Sequence, residues 1–171
     1  SDDIYAGKML ANFNESGGKR MSDYQEFLEA KIELANENKV STDWQIEREF
    51  LKGHQSDSAM WALNRGAALI AAKFGLGKTR IQIAIAKALH AHTGQPFLLV
   101  CPLGVKHQFV EEDGPTMGVK WEYVRTDAEV EDALSRTSFL ITNYERVRDG
   151  NITPVKHGFC GVSLDEGSVI H

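Results

Sequence analysis

The sequence predicts an α/β domain with a mostly parallel, doubly wound sheet, preceded by a helical N-terminal segment. Three observations carry this. Apolar runs without polar alternation, at 67–71 and 96–101, are what strands covered on both faces require. Between them, residues 78–92 carry apolar side chains at helical spacing. Strand-like and helix-like segments then alternate to residue 164, the order that right-handed βαβ units produce.

Bulk composition narrows the function classes. At 171 residues the chain is long enough for one such domain, which buries roughly two-thirds of its unfolded surface. With 42% hydrophobic and 25% charged residues, the composition is globular rather than disordered. The net charge of −5 excludes a global attraction to nucleic acid, so any such contact needs a local patch. Cys101 and Cys160 each flank an apolar run and read as buried free thiols of a reducing, intracellular protein. Their spacing resembles no metal site. The apolar runs are too short to span a bilayer and no signal peptide opens the chain, so a soluble, cytoplasmic protein is expected.

The elements follow in order. Residues 1–49 read as an N-terminal extension. Its first twenty residues, rich in Gly, Asn and Ser, form a loose lead-in. Ser22 and Gln25 have capping-box spacing, and Tyr24, Phe27, Leu28, Ile32 and Ala35 then predict a helix over about 23–36. A connector with Trp44, Ile46, Phe50 and Leu51 leads to His54-Gln55, where the main domain, 50–171, is under way. A helix over about 56–64 ends at Gly66, with Trp61 and Leu63 expected toward the core. Strand 67–71 follows, then the helix 78–92 closed by Thr93-Gly94, and strand 96–101 stopped by Pro102. A short helix near 105–112 is expected to break at Gly114-Pro115. Strand 119–124, a helix over 127–135 with Asp127 near its cap, strand 138–142, a helical turn at 144–147 and strand 159–164 complete the pattern.

The stretch Ala72-Lys73-Phe74-Gly75-Leu76-Gly77-Lys78-Thr79 sits between a predicted strand and a predicted helix, the context of a phosphate-binding loop. Glycines at 75 and 77 let the backbone take positive φ and approach an anion with no Cβ in the way. The backbone N–H groups of the loop, Phe74 and Leu76 included, and the helix N-terminus then face phosphate oxygens. Lys78 reaches the β/γ phosphates, and the Thr79 hydroxyl completes a Mg²⁺ shell. Ala72 stands where the general pattern has its first glycine. The complementary feature is Asp165-Glu166, directly after an apolar strand. Ligands of open parallel sheets sit beyond the strand C-termini, where loop and acids converge. Asp165 is the candidate Mg²⁺ ligand, and Glu166 the candidate for positioning or deprotonating a water.

These motifs resemble those of superfamily-two DNA helicases and the chromatin-remodeller-type translocases among them, in the form found in phages and mobile elements. Ala72 with Gly75-Leu76-Gly77-Lys78-Thr79 is similar to motif I, and 98–103 with Gln108 to motif Ia. Thr142-Asn143-Tyr144-Glu145 is similar to the segment after the next strand, and 162–168 to motif II. His54-Gln55 resembles the adenine-reading Q motif. The likeness covers about 50–171 and implies a RecA-like lobe that binds ATP and Mg²⁺. It implies that Gln55 pairs with adenine and that Arg80 lies near the base or ribose. It also implies that Lys78, Asp165 and Glu166 serve hydrolysis, and that motif Ia and 142–144 face DNA without reading its sequence. Lys106, His107, Arg146 and Arg148 are candidate sources of local positive charge there. Motif II reads Asp-Glu-Gly-Ser, so the position coupling hydrolysis to movement is atypical. The chain stops at His171, and the family's second RecA-like lobe with its arginine fingers is expected to lie outside it. The expected function is the motor lobe of a DNA-dependent ATPase, weak or inactive in isolation. The alternative is a nucleotide- or DNA-binding module without turnover. A P-loop kinase or GTPase lacks its acceptor site or Asn-Lys-x-Asp segment here.

Overall fold

The computed structural model describes residues 43–66 and 77–165. The helix expected over 23–36, the strand expected over 67–71, residues 72–76 of the glycine loop, and Glu166 lie outside them. The described elements begin with helices α1 (Gly53–Arg65) and α2 (Lys78–Thr93) and strand β1 (Phe97–Val100). A composite helical stretch follows, with a 3₁₀ turn at Leu103–Val105, a π-helix at Gln108–Asp113 and a last turn, α3, at Gly114–Thr116. Then come β2 (Trp121–Tyr123), α4 (Asp127–Ala133), β3 (Phe139–Thr142), α5 (Tyr144–Arg148), a 3₁₀ turn at Pro154–Lys156 and β4 (Gly161–Leu164).

All four strands are parallel, in the order β2-β3-β1-β4. The apolar run behind β1 explains its central place: all four of its residues are buried. Phe97 and Leu99 point to one face, packed with Ile81, Ile83, Phe109 and Trp121 from α2, the π-helix and β2. Leu98 and Val100 point to the other, against Val130 and Ala133 of α4 and Ile152. The α/β expectation of a parallel sheet covered on both faces therefore holds. The connection from β1 to β2 runs over the first face, and those from β2 to β3 and β3 to β4 run over the second. That change of side accompanies the reversal of direction, as right-handed crossovers require. In open parallel sheets such a change of side marks a crevice beyond the C-termini of the adjacent strands, here β1 and β3.

Three expectations are corrected. Helix α1 begins at Gly53, so His54 and Gln55 lie in its first turn rather than in a connector. Trp61 does not face the core: it is 47% exposed and lies under the Arg65 guanidinium, 4.9 Å from the ring centroid. Residues two apart cannot share a helix face, so burying Leu63 with Ala59 and Ala62 turns Trp61 outward. Gly114-Pro115 does not break the helix either. The chain widens into the π-helix, and Pro115 then enters a new turn near its start, where its missing N–H is harmless. The Gly66 and Gly94 caps fall where expected, each donating its N–H to a carbonyl of the last turn. Both cysteines are free, Cys101 buried and Cys160 partly so, and they flank strands rather than lie in them.

Residues 43–52, which lack regular structure, are fastened to α2. Trp44 sits edge-on to His92 with centroids 5.0 Å apart. Lys87 reaches both the Glu47 carboxylate and, at 2.7 Å, the Met117 carbonyl. On the opposite face, Asp127 at the start of α4 accepts the Thr153 N–H at 2.8 Å and meets His157 Nε2 at 2.6 Å. Partial burial pushes the Asp127 carboxyl up, but those two contacts outweigh it and hold the group below the ordinary carboxylate range. A depressed native pKa contributes stability above the unfolded value, about 3.9 for Asp, and that contribution is lost as pH falls through the native value. Denaturant midpoints measured between about pH 5 and pH 2 are therefore expected to fall less steeply for Asp127→Asn than for the wild type.

Candidate functional site

The site is built where α2 begins. Gly77 is its N-cap in the left-handed conformation (φ 72°, ψ 41°), a geometry that a Cβ penalises by about 1–2 kcal/mol. A Cβ there would also stand 2.0 Å from Gln55 Nε2. Gln55 is 5% exposed, and its Oε1 accepts the Lys52 N–H at 2.8 Å, closing a reciprocal cap on α1. The carboxamide thus packs directly on the backbone that enters α2, so a side chain at 77 would add displacement of Gln55 to the backbone strain.

The first turn of α2 is electrostatically unusual. It has no side-chain cap and no acidic residue. Instead it carries Lys78 and Arg80, cations placed where the helix dipole is already positive. Lys78 makes no ion pair with a described residue. Thr79 is 7% exposed, and its hydroxyl makes no hydrogen bond to a described residue. Arg80 is engaged: Nε donates to Asp113 Oδ1 at 2.9 Å and Nη1 to the Phe50 carbonyl at 3.1 Å. Its guanidinium therefore ties the π-helix and residue 50 to the start of α2.

Asp165 lies at the same edge of the sheet. Helix α2 runs antiparallel to β4: Leu89 abuts Gly161 at the beginning of the strand, and Gln82 Oε1 accepts the Ser163 hydroxyl at 2.6 Å near its end. One helical turn before Gln82 is Lys78, and two residues after Ser163 is Asp165. Both segments thus emerge at the strand C-terminal edge, on the side of β4 covered by α2. Asp165 continues the ladder, donating its N–H to the Val100 carbonyl at 2.9 Å. Its carbonyl accepts the Tyr144 hydroxyl at 2.5 Å. Burial, and then the Asp165 carboxylate, raise the Cys101 thiol to about 12 and move the Tyr144 phenol upward as well. That carboxylate is therefore within electrostatic reach of both side chains, near the C-terminal ends of β1 and β3.

The structure brings Gln55, Gly77, Lys78, Thr79, Arg80 and Asp165 to this region; Phe74, Gly75, Leu76 and Glu166 are not among the described residues. An oxygen-only pair of Thr79 hydroxyl and Asp165 carboxylate suits Mg²⁺, which takes one or two protein oxygens and completes its shell with waters and phosphates. Among the described residues no cluster of three or more His, Cys, Asp or Glu could hold a metal by itself.

The rest of the edge is less basic than its composition suggests. His107 lies 3.3 Å from Glu111 and 3.8 Å from Glu112, and Arg148 Nε bonds Asp149 at 2.8 Å. Lys106 Nζ sits 4.7 Å above the Tyr123 ring, whose hydroxyl donates to Asn143 Oδ1 at 2.8 Å. Arg146 is within electrostatic reach of Glu129 and Asp149. Among the described residues no helix is long and apolar enough to cross a membrane.

Sequence reasoning missed Tyr144 as an individual residue and the Gln82–Ser163 and Arg80–Asp113 links. A tyrosine opening the helix after β3 was a usable signal for the first. The two links join positions 81 and 33 residues apart, and nothing in the local pattern pairs them. Comparison with protein-family models, curated proteins and solved structures gives no match.

Proposed function

We propose that this chain is the ATP-binding, RecA-like motor lobe of a DNA-dependent ATPase of the helicase or translocase type. The observation that carries the reading is a helix N-terminus without a side-chain cap, bearing a Lys78 that pairs with no described residue, at the same sheet edge as Asp165. A positive helix end with a left-handed glycine before it favours a phosphate. Lys78 would contact the terminal phosphates, Thr79 and Asp165 would hold Mg²⁺, and Mg²⁺ would neutralise charge on the β and γ oxygens. Gln55, whose carboxamide packs on Gly77 and accepts the Lys52 N–H, is proposed to meet the base. Glu166, following Asp165, is proposed to orient the attacking water.

DNA is proposed to meet the crevice beyond β1 and β3 through backbone and hydroxyl groups, without base readout. The pairing of His107 and Arg148 with carboxylates makes this contact weak and salt-sensitive. The same pairing favours a second reading, a nucleotide-binding module without DNA-driven turnover. Calorimetry with ATP, with and without Mg²⁺, tests nucleotide binding. Phosphate release with and without single-stranded and duplex DNA, in this chain and in the intact gene product, separates the two readings. No calorimetric ATP binding would contradict both.

A further inference from the structure

We propose that Tyr144 is a positioning residue for Asp165, fixing the carboxylate that receives the divalent cation. The inference rests on the Mg²⁺–nucleotide reading and goes beyond it. Asp165 follows the last residue of β4, where a backbone is ordinarily free to turn into its loop. Here it is pinned on both sides. Its N–H is bound to the Val100 carbonyl of β1, and its carbonyl accepts the Tyr144 hydroxyl from the first residue of α5. Two bonds to two different elements fix the peptide planes on either side of the Asp165 Cα and so fix the direction in which its side chain leaves. Tyr144 itself cannot swing away, because its ring packs into the cluster of Leu98, Val100 and Val130 below the crevice. The phenol bonds the Asp165 backbone carbonyl rather than its carboxylate. Cations are sensitive to such outer contacts: removing a group that orients a ligand lowers metal affinity by about 10–100-fold. Tyr144 also adjoins Asn143, which bonds the Tyr123 hydroxyl, so the tie connects the floor of the crevice to the acidic residue.

Tyr144→Phe removes the hydroxyl and keeps the ring. ATP affinity is measured by calorimetry in EDTA and in saturating Mg²⁺, and the Mg²⁺ gain is the ratio of the two. Tyr144→Phe is expected to leave EDTA affinity within about twofold of wild type, since that binding rests on the loop and Lys78. The Mg²⁺ gain should fall about tenfold. Asp165→Asn should lose the gain as well, and the double variant should lose no more than Asp165→Asn alone, because the tyrosine acts through that carboxylate. An unchanged Mg²⁺ gain in Tyr144→Phe, or losses that add in the double variant, would overturn the proposal while leaving the nucleotide reading intact. Equal losses of affinity with and without Mg²⁺ would make Tyr144 merely structural, which also overturns it. Absence of ATP binding by the wild type would remove the nucleotide reading and this inference with it.

Discussion

Replacing Lys78 with alanine is expected to weaken Mg²⁺–ATP binding by about 1.5–3 kcal/mol, the contribution of a charged hydrogen bond. That is roughly a 10- to 150-fold rise in Kd. The reason is local. Lys78 stands in the first turn of α2, where the dipole disfavours a cation, and no described carboxylate neutralises it. An ammonium held in that place with no partner among the described residues raises the free energy of the empty site and is relieved by a phosphate. Removing it relieves an unfavourable contact of about 0.3–1 kcal/mol, so Lys78→Ala should melt at or slightly above the wild-type temperature. Calorimetry checks the first statement and a melting curve the second. Equal ATP affinity in the two proteins would contradict the assignment.

Gly114→Ala is expected to lower stability by about 3 kcal/mol, near the upper end of what overpacking costs. Gly114 lies where the π-helix passes into α3. A Cβ there would stand 2.1 Å from the Phe109 carbonyl oxygen and 2.7 Å from Trp121 Cδ1. The first contact is with backbone and the second with an indole packed among Phe97, Phe109 and Phe139, so neither neighbour can move aside cheaply. A melting temperature lower by roughly 6–12 °C is expected at 2–4 °C per kcal/mol for a domain of this size. Gly104→Ala is the control: nothing lies within 4 Å of the added Cβ, so its stability should stay within about 0.5 kcal/mol of wild type. Similar melting temperatures for the two variants would mean that the π-helix yields to the added methyl group.

The legible and illegible parts of the fold divide along physical lines. Strand β1 and helix α2 were readable because their signals are local. A short apolar run stopped by Pro102 suits a strand covered on both faces, and Gly94 closes the helix where its apolar period stops. The strand ends contracted by one or two residues, although Ser138 still accepts the Phe97 N–H and Cys160 still donates to the Pro96 carbonyl. The π-helix was not readable. It ends at Gly114, which fits against Trp121, a residue in the next strand. Trp61 was misplaced because hydrophobicity alone was followed, whereas the helix spacing of Ala59, Ala62 and Leu63 already left it on the outer face.

The candidate site followed the same rule. Gly77, Lys78 and Thr79 are contiguous, and contiguity with flanking glycine and helix signals is visible in one dimension. Asp165 was found as the end of an apolar strand. Their convergence was not local information: it depends on α2 running antiparallel to β4, which the Leu89–Gly161 and Gln82–Ser163 contacts establish. Arg80 has partners that no local motif names. Its position beside the loop suggested the nucleotide, while its guanidinium is engaged by Asp113 and the Phe50 carbonyl.

The central claim is that the first turn of α2 and Asp165 enclose one metal–nucleotide. Mn²⁺ accepts the same oxygen ligands as Mg²⁺ and broadens the NMR signals of nuclei close to it. Adding Mn²⁺–ATP to isotope-labelled protein should erase the backbone amide signals of Lys78, Thr79 and Asp165 together. Those of Asp127 to Ala133, on the other face of the sheet, should persist. Broadening of only one of the two segments, or of neither, would contradict the account.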